Sequence, residues 1–242
     1  MSKVMKYFGL GLFLFGHTIA ASADLPTSKR LERVQSDRMP DLRAELREAG
    51  LILGAPIFIR IFKKERQLEV WMEGAGGRLQ LFRTFGICSY SGKLGPKLKE
   101  GDRQAPEGFY RVGPSEMNPN SQYHLSFNLG FPNAYDRAHG RTGSYLMVHG
   151  SCVSVGCYAM TNKGIEEIYL LASAALKEGQ PNFNVHIFPF RMTGENMRRH
   201  EDSRWFGFWQ NLKEGFDAFE EENKVPEVAV KDGTYVVGLG GS

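Results

Sequence analysis

The sequence predicts a mainly β domain of the α+β class, extended at its C-terminus by a helix and a hairpin. Three observations predict this class. Short apolar segments alternate with glycine and charged turns between residues 57 and 112, as in an antiparallel meander that forms one wall of a sandwich or barrel. A helical period begins only after Cys157. Residues 193–242 combine aromatic residues at helical spacing with two apolar runs that flank Asp232-Gly233.

Residues 1–23 have the pattern of a secretory signal peptide. Lys3 and Lys6 precede an apolar run over residues 7–19, which is shorter than a membrane-spanning helix normally is. An Ala-Ser-Ala sequence at 21–23 then forms a cleavage site. We expect cleavage after this sequence and export of the mature chain, with an uncleaved membrane anchor as the alternative.

The charge of the chain argues against a polyanion-binding protein. The full sequence carries a formal net charge of +3, which falls to +1 when the two lysines of the signal peptide are removed. A value so near neutrality provides no basic surface for nucleic acid. No segment after residue 23 is apolar for long enough to cross a bilayer, so we expect no stable membrane insertion after cleavage.

The segment 24–52 is predicted to be a helical arm in front of the β-rich block. Pro40-Asp41 is its expected start, an apolar stripe follows, and Gly50 ends it. The residues of the stripe are Leu42, Leu46 and Ala49.

Four strands and two loops are predicted next. The strands cover residues 57–62, 68–72, 79–87 and 109–112, and the loops cover residues 91–107 and 114–143. The second loop is long and rich in aromatic and charged side chains. We interpret it as a substrate-contacting loop, with a structural Ω-type loop as the alternative.

A helix is predicted after Cys157, with Thr161 or Asn162 at its start and a Gly-Gln-Pro sequence at its end. A strand over 185–188, an amphipathic helix over 205–219 and a hairpin over 228–237 follow. The predicted organisation is a signal peptide at 1–23, a helical arm at 24–52, a central domain at 53–192, and a C-terminal helix and hairpin at 193–242.

The predicted chemistry centres on His149 and Cys157, which lie eight positions apart, each beside a glycine. A buried strand over residues 145–148 is expected to deliver the imidazole, and a short return then presents the thiol. The thiolate is the reactive form of cysteine, and a neighbouring imidazole can take its proton. Gly150 and Gly156 allow the backbone to bend and a substrate to come close.

The three cysteines do not form a disulfide framework. A bridge between Cys88 and Cys152 with Cys157 free is one arrangement, and the sequence leaves the pairing open. The spacing of His149, Cys152 and Cys157 also allows a metal-binding module, although a fourth ligand is not evident.

Two segments resemble the catalytic domain of the L,D-transpeptidase (YkuD) family. His149-Gly150 followed by Ser154-x-Gly156-Cys157 is similar to the catalytic motif of that family. Residues 101–110, GDRQAPEGFY, resemble its upstream G-D-x-x-T-P-x-G-x-[FY] segment. The stretches HGSCVSVGCYAMTN, GFPNAYDRAHG and FPFRMT are similar to the YafK-like murein L,D-hydrolase branch, and the resemblance covers residues 56–199.

The resemblance implies an L,D-transpeptidase-type β-sandwich or barrel that acts on peptidoglycan stem peptides in the periplasm, without a cofactor. Cys157 is the implied nucleophile and His149 the general base, and the Gly150 carbonyl orients the imidazole. The N–H groups of Gly156 and Cys157 are the expected oxyanion donors, because a glycine turn can aim them at one point.

The implied reaction attacks an amide at the L-centre of a meso-diaminopimelate residue through a thioester. The YafK-like branch implies hydrolytic release of a murein-bound outer-membrane lipoprotein. A transpeptidase that forms 3-3 crosslinks or attaches a protein to peptidoglycan is the alternative. A murein- or metal-binding module without activity is the non-enzymatic alternative.

The sequence departs from the common S-H-G-C-x-R pattern of the family at two positions. Val155 stands where the pattern has histidine, and Ala159 stands where it has arginine. We expect Arg137 or Arg141 to replace the missing arginine in contacts with substrate charge. The missing arginine and the short His-to-Cys spacing favour the hydrolytic branch. Further candidate substrate-binding residues are Tyr135, His139 and Ser154, the last also interpreted as a hydrogen-bonding support.

Overall fold

The computed structural model describes residues 24–238, so the predicted signal peptide lies outside the described residues. Within them the helices are α1 Lys29–Glu48, α2 Ala134–Ala138, α3 Asn162–Lys177, α4 Gly194–Arg199 and α5 Phe206–Glu222. The first strands are β1 Ile57–Phe62, β2 Gln67–Glu73, β3 Leu79–Gly86, β4 Ser89–Tyr90, β5 Gly108–Val112 and β6 Met117–Asn118. The remaining strands are β7 Ser126–Asn128, β8 Met147–His149, β9 Tyr158–Ala159, β10 Phe183–Phe188, β11 Glu227–Lys231 and β12 Thr234–Gly238. The predicted α+β class is confirmed.

The first sheet, here called the long-strand sheet, has the order β3-β2-β1-β10-β5. The meander β1-β2-β3 is antiparallel as predicted, but β1 pairs with β10 in parallel. All six residues of β1 are buried because both faces of the sheet are covered. The isoleucines of β1 enter the larger of the two hydrophobic clusters, here called the main core. Phe58 and Phe62 instead contact Phe219 and Phe216 of α5.

The second sheet, here called the short-strand sheet, has the order β4-β9-β8-β7-β6 and strands of two or three residues. Phe127, Val148 and Tyr158 point from it into the main core. Strands β6 and β7 and helix α2 fall inside segment 114–143, which was predicted to be an irregular loop. That prediction was wrong because elements this short, built partly from Asn and Ser, leave no hydrophobic period to detect.

Helix α1 begins earlier than predicted. Ser28 caps it by accepting a hydrogen bond from the Leu31 N–H at 3.1 Å, and Pro40 lies inside the helix. The apolar stripe continues on both sides of the proline, since Leu31 is buried along with Leu42 and the residues that follow. The predicted end is correct, because Gly50 adopts a left-handed φ of 70°.

Helices α3 and α5 agree with the predictions. Thr161 caps α3 by accepting a hydrogen bond from the Gly164 N–H. Helix α5 covers the second face of the long-strand sheet and builds an aromatic cluster there with Trp209 and Phe216. The hairpin β11–β12 forms as predicted. Among residues 24–238, no helix combines the length and apolar character needed to cross a membrane.

Candidate active site

His149 and Cys157 lie on neighbouring parallel strands of the short-strand sheet. His149 ends β8 and pairs with Ala159, and Val148 pairs with Tyr158. Cys157 immediately precedes β9. Val148 and Tyr158 both enter the main core, so the alternation of side chains directs His149 and Cys157 to the opposite face. The two predicted catalytic side chains therefore share one face of one sheet.

The His149 imidazole is held as a neutral base. Its Nδ1 lies 2.6 Å from the carbonyl oxygen of Gly150, so Nδ1 carries the hydrogen and Nε2 is left as the proton acceptor. Burial lowers the pKa of His149 below its ordinary value of 6.5, although the hydrogen bond to Gly150 opposes part of this shift. The Tyr123 ring lies against the imidazole, with ring centroids 4.7 Å apart. The predicted contact with the Gly150 carbonyl is present.

The Cys157 thiol is protonated in the resting site. Its Sγ lies 3.7 Å from the carbonyl oxygen of Tyr145, to which the thiol donates. Burial raises the pKa of the Cys157 thiol above its ordinary value of 9.0, and the Met147 N–H and the charge of Lys97 offset this shift only in part. Among the described residues, the thiol makes no hydrogen bond to His149. The two groups therefore form a neutral pair at rest.

The turn before Cys157 changes one predicted role. The Ser154 hydroxyl accepts the Cys157 N–H at 3.0 Å and donates to the Cys157 carbonyl oxygen at 2.7 Å. The prediction that the Cys157 N–H is a free oxyanion donor was therefore wrong. Gly156, with a φ of 103°, adopts a conformation that favours glycine, and its N–H has no acceptor in the described part of the chain. These contacts give Ser154 a supporting role in the turn.

A disulfide joins Cys88 to Cys152 and leaves Cys157 free. It joins the loop between His149 and Cys157 to the connection between β3 and β4, where the Cys88 N–H also donates a backbone hydrogen bond to the Ala159 carbonyl. Because Cys152 is bonded to another sulfur, it is not free to bind a metal as the alternative reading required. Residues 24–238 contain no cluster of three His, Cys, Asp or Glu side chains suited to a metal ion.

Loop 91–107, which contains most of the GDRQAPEGFY segment, is held by a dense set of polar contacts. Asp102 accepts hydrogen bonds from the N–H groups of Leu98, Lys99 and Gln104 and pairs with Lys97. The loop meets the cysteine turn at two points. Ser91 donates to the Ser154 carbonyl oxygen at 2.9 Å. A Cβ placed on Gly156 would lie 3.8 Å from the Gln104 carbonyl oxygen.

Most of the predicted substrate-binding residues have structural partners instead. Arg141 is buried and pairs with Asp136 at 2.8 Å. Tyr135 stacks on Tyr235 of the hairpin, and His139 Nε2 lies 2.7 Å from the Gly233 carbonyl oxygen. These contacts fasten α2 to the C-terminal hairpin. They correct the expectation that Arg141 is free to replace the missing family arginine.

Arg137 is exposed and donates to the Pro132 carbonyl oxygen. It lines a cavity of about 380 Å³ between β5, β10 and the hairpin. Neither Cys157 nor His149 lines this cavity. The role of Arg137 as a replacement for the missing family arginine stays a prediction.

Sequence reasoning missed three features of the site. Lys97 supplies a positive charge that acts on the Cys157 thiol. Tyr145 accepts from the thiol through its main chain, and Ser126 pairs across the sheet with His149. A lysine five residues before the motif aspartate was a visible signal. The other two depend on strand pairing between short strands, which the sequence does not reveal.

The sequence matches the YkuD family, described as the L,D-transpeptidase catalytic domain, over residues 56–215. The chain belongs to this family. The match confirms the predicted resemblance and makes the chain a peptidoglycan-acting enzyme of the L,D-transpeptidase type. It extends past the predicted boundary at residue 192 and includes part of α5.

Two curated relatives are similar along most of their length. The chain is 52% identical over 186 residues to "Putative L,D-transpeptidase YafK" of Escherichia coli K12. The matched residues cover 77% of this chain and 75% of that protein. The protein of the same name from Escherichia coli O157:H7 matches equally well.

Solved structures give more distant likenesses. The helical cell shape determining protein Pgp2 from Campylobacter jejuni aligns with a TM-score of 0.44 and 18% identity, over 79% of this chain and 80% of that chain. Bd1075 of Bdellovibrio bacteriovorus aligns with a TM-score of 0.39 and 23% identity, over 68% of this chain and 60% of that chain.

Proposed function

We propose that the chain is a murein L,D-hydrolase that cleaves an amide at the L-centre of meso-diaminopimelate and releases a murein-bound lipoprotein. The observation that carries the proposal is the pair His149 and Cys157, a neutral imidazole and a free thiol on one sheet face within the family domain. Thiol nucleophiles with an oriented imidazole are a recurrent arrangement for acyl transfer.

Acylation begins with a rotation of the Cys157 side chain away from the Tyr145 carbonyl and towards His149. Nε2 of His149 takes the thiol proton as Sγ attacks the amide carbon, which forms the S–C bond. The free N–H of Gly156 faces the developing oxyanion, and one such donor is typically worth about 3 kcal/mol. The C–N bond then breaks, and His149 gives its proton to the leaving amine.

Deacylation uses water. Neutral His149 accepts a proton from water as the water oxygen attacks the thioester carbon. The C–S bond then breaks, and the imidazolium gives that proton to the departing thiolate, which restores the thiol and the neutral imidazole. The products are a peptide carboxylate and a free amine, which belongs to the released lipoprotein. The charge of Lys97 supports this step because it favours the departing thiolate.

Hydrolysis rather than transfer is supported by the solvent exposure of two residues that lie beside the thiol. Tyr145 is 75% exposed and Val155 is 76% exposed. The loop between the two catalytic residues contains only seven residues and is fastened by the disulfide. A short, fastened loop provides little structure for holding an acceptor amine and excluding water.

The test uses purified protein and muropeptides linked to a lipoprotein-derived peptide. We expect release of the peptide and a stem that ends in a carboxylate at the L-centre of meso-diaminopimelate, with incorporation of one ¹⁸O atom from labelled water into that carboxylate. Mass spectra that show 3-3 crosslinks or exchange with an added amine instead would make the enzyme a transpeptidase. Binding without any reaction would support an inactive murein-binding module.

We also propose that the protein works in the periplasm after cleavage behind residue 23. The Cys88–Cys152 disulfide supports an oxidising compartment. Cell fractionation and sequencing of the mature N-terminus test this, and the expected first residue is Asp24. Recovery of the full-length chain in the cytoplasm would contradict it.

A further inference from the structure

A polar groove lies on the same face of the short-strand sheet as the two catalytic residues. It has a volume of about 320 Å³ and is lined by Glu116, Asn118, Ser126, Asn128, Tyr145 and Met147. Tyr145 and Met147 are the residues whose main chain contacts the Cys157 thiol. Neither Cys157 nor His149 lines the groove itself, which begins at these two neighbours of the thiol and crosses β8, β7 and β6.

The floor of the groove contains an unpartnered hydroxyl. Ser126 pairs with His149 on one side and with Asn118 on the other, so these side chains share a face. Ser126 is fully buried, and its Oγ has no hydrogen-bond partner among the described residues. A buried hydroxyl without a partner is unfavourable, and such groups commonly have a functional explanation.

The two asparagines of the groove present donors. The N–H of Asn120 donates to Oδ1 of Asn118 at 3.0 Å, and the N–H of Gly130 donates to Oδ1 of Asn128 at 3.0 Å. Because the oxygens are engaged, each side chain offers its NH₂ group, and no hydrogen bond within residues 24–238 uses either NH₂ group. Together with the Ser126 hydroxyl they suit an oxygen-rich acceptor such as a carboxylate.

The end of the groove presents a carboxylate. Glu116 accepts hydrogen bonds from the Gly113 N–H at 3.0 Å and from the Ser115 hydroxyl at 2.9 Å. These two contacts fix the carboxylate in place and leave lone pairs on both oxygens. Among residues 24–238, no lysine or arginine lines the groove, so the negative charge of Glu116 is available for a ligand cation.

We infer that this groove is a subsite for an α-amino-acid head group, with the ammonium on Glu116 and the carboxylate on Ser126 and the asparagines. Resting on the proposed function, the ligand is the D-centre of meso-diaminopimelate, which carries both charges at the far end of the residue whose L-centre is attacked. The subsite selects stem peptides whose D-centre amine is free and rejects those in which it is acylated by a crosslink.

The test measures binding to the Cys157→Ala protein by calorimetry, so that it needs no turnover. The probes are N-acetyl-L-alanyl-γ-D-glutamyl-meso-diaminopimelate and the same peptide acetylated at the D-centre amine. We expect the free amine to bind roughly 10- to 100-fold more tightly, as for a hydrogen-bonded charge. Equal affinity for both peptides, or no binding of either, would overturn the inference.

Three further substitutions in that protein separate the groups. Glu116→Gln is expected to abolish the preference for the free amine. Ser126→Ala is expected to weaken both peptides about tenfold without lowering the melting temperature, since no protein hydrogen bond is lost. Asn120→Ala, an exposed side chain outside the groove, is the matched control and should change neither value. A Ser126→Ala protein with lower stability and unchanged affinity would show that Ser126 is structural.

The two proposals fail separately. Peptide discrimination without lipoprotein release would retain the subsite and remove the proposed reaction. Lipoprotein release without peptide discrimination would retain the reaction and remove the subsite.

Discussion

The two sheets of the molecule are built for different purposes. The long-strand sheet has strands of five to eight residues, and its central strand β1 is covered on both faces. The short-strand sheet has strands of two or three residues, and its outer face carries His149, Cys157 and Ser126. The first sheet is held by its ladder and two apolar layers. The second is held by a disulfide, the Ser154 turn and hydrogen bonds from neighbouring loops.

This contrast separates the part of the molecule that sets stability from the part that sets reactivity. A short strand makes few ladder bonds, so its position depends on specific side chains, and one open face is left for a ligand. Buried charge is concentrated on the other sheet, where Lys63 and Glu107 pair at 2.9 Å with both side chains fully buried. Substitutions at the short-strand sheet should therefore reduce activity, and substitutions at the buried charge should reduce stability.

The largest effect is expected for Cys157→Ala. Removing the nucleophile should lower muropeptide cleavage by at least about a thousandfold, as for the residues of other nucleophile–base pairs. The melting temperature should stay unchanged, because the contacts of the thiol with the Tyr145 carbonyl and the Met147 N–H are weak. Product assays and thermal unfolding check both parts. Substantial turnover by this variant would refute the nucleophile assignment and the contrast between the sheets.

The second prediction concerns Glu107→Ala. This carboxylate accepts hydrogen bonds from Lys63 Nζ, from the Gly95 N–H at 2.7 Å and from Trp209 Nε1 at 2.9 Å. Leaving a buried lysine without its partner should lower the free energy of unfolding by about 3–5 kcal/mol. Chemical denaturation measures this change.

The control for Glu107 is Glu195→Ala, which breaks an exposed pair with Arg199. It should lower the free energy of unfolding by less than about 1 kcal/mol. If both substitutions have the same small effect, the long-strand sheet does not depend on the buried pair.

The third prediction concerns the disulfide, whose removal should reduce both stability and activity. Replacing Cys88 and Cys152 together by serine removes the crosslink without leaving an unpaired thiol beside the site. Stability should fall by about 2–4 kcal/mol. Cleavage should also slow, because Ser151 and Cys152 adopt left-handed φ values of 69° and 53° that a released loop need not keep. Unchanged activity would show that the short-strand sheet positions Cys157 without the disulfide.

The smallest effect is a dependence on pH. Because burial lowers the pKa of His149 below 6.5, the imidazole stays neutral and able to accept a proton down to that lower pKa. We expect kcat/KM to stay level from pH 6.5 to 8 and to fall about tenfold per unit once the pH is below the pKa of His149. A decline that begins near neutrality on the alkaline side would indicate a thiolate–imidazolium pair instead.

The sequence predicted the long-strand sheet better than the short-strand sheet. Strand β1 was placed at its observed bounds because six consecutive apolar or amphipathic residues leave a clear pattern. Its parallel partner β10 lies far along the chain, and no local pattern specifies that pairing. Strands β6 and β7 were missed because their residues, such as Asn118 and Ser126, look like loop residues.

In the candidate site, too, some features could be predicted from local sequence and others could not. Cys157, His149 and Gly150 were predicted from motif and spacing, and the structure brings them together. The occupied Cys157 N–H and the buried pairing of Arg141 were not predicted, because both depend on which side chain arrives from another segment. Contacts of that kind are fixed by tertiary packing rather than by local sequence.

Mass spectrometry of enzyme quenched in acid during the first turnover tests the central claim most directly. With a lipoprotein-linked muropeptide, we predict a mass increase equal to the muropeptide acyl group on the peptide that contains Cys157. The adduct should form much more slowly in a His149→Ala variant. Product formation at full rate with no adduct, or an adduct on another residue, would contradict the account.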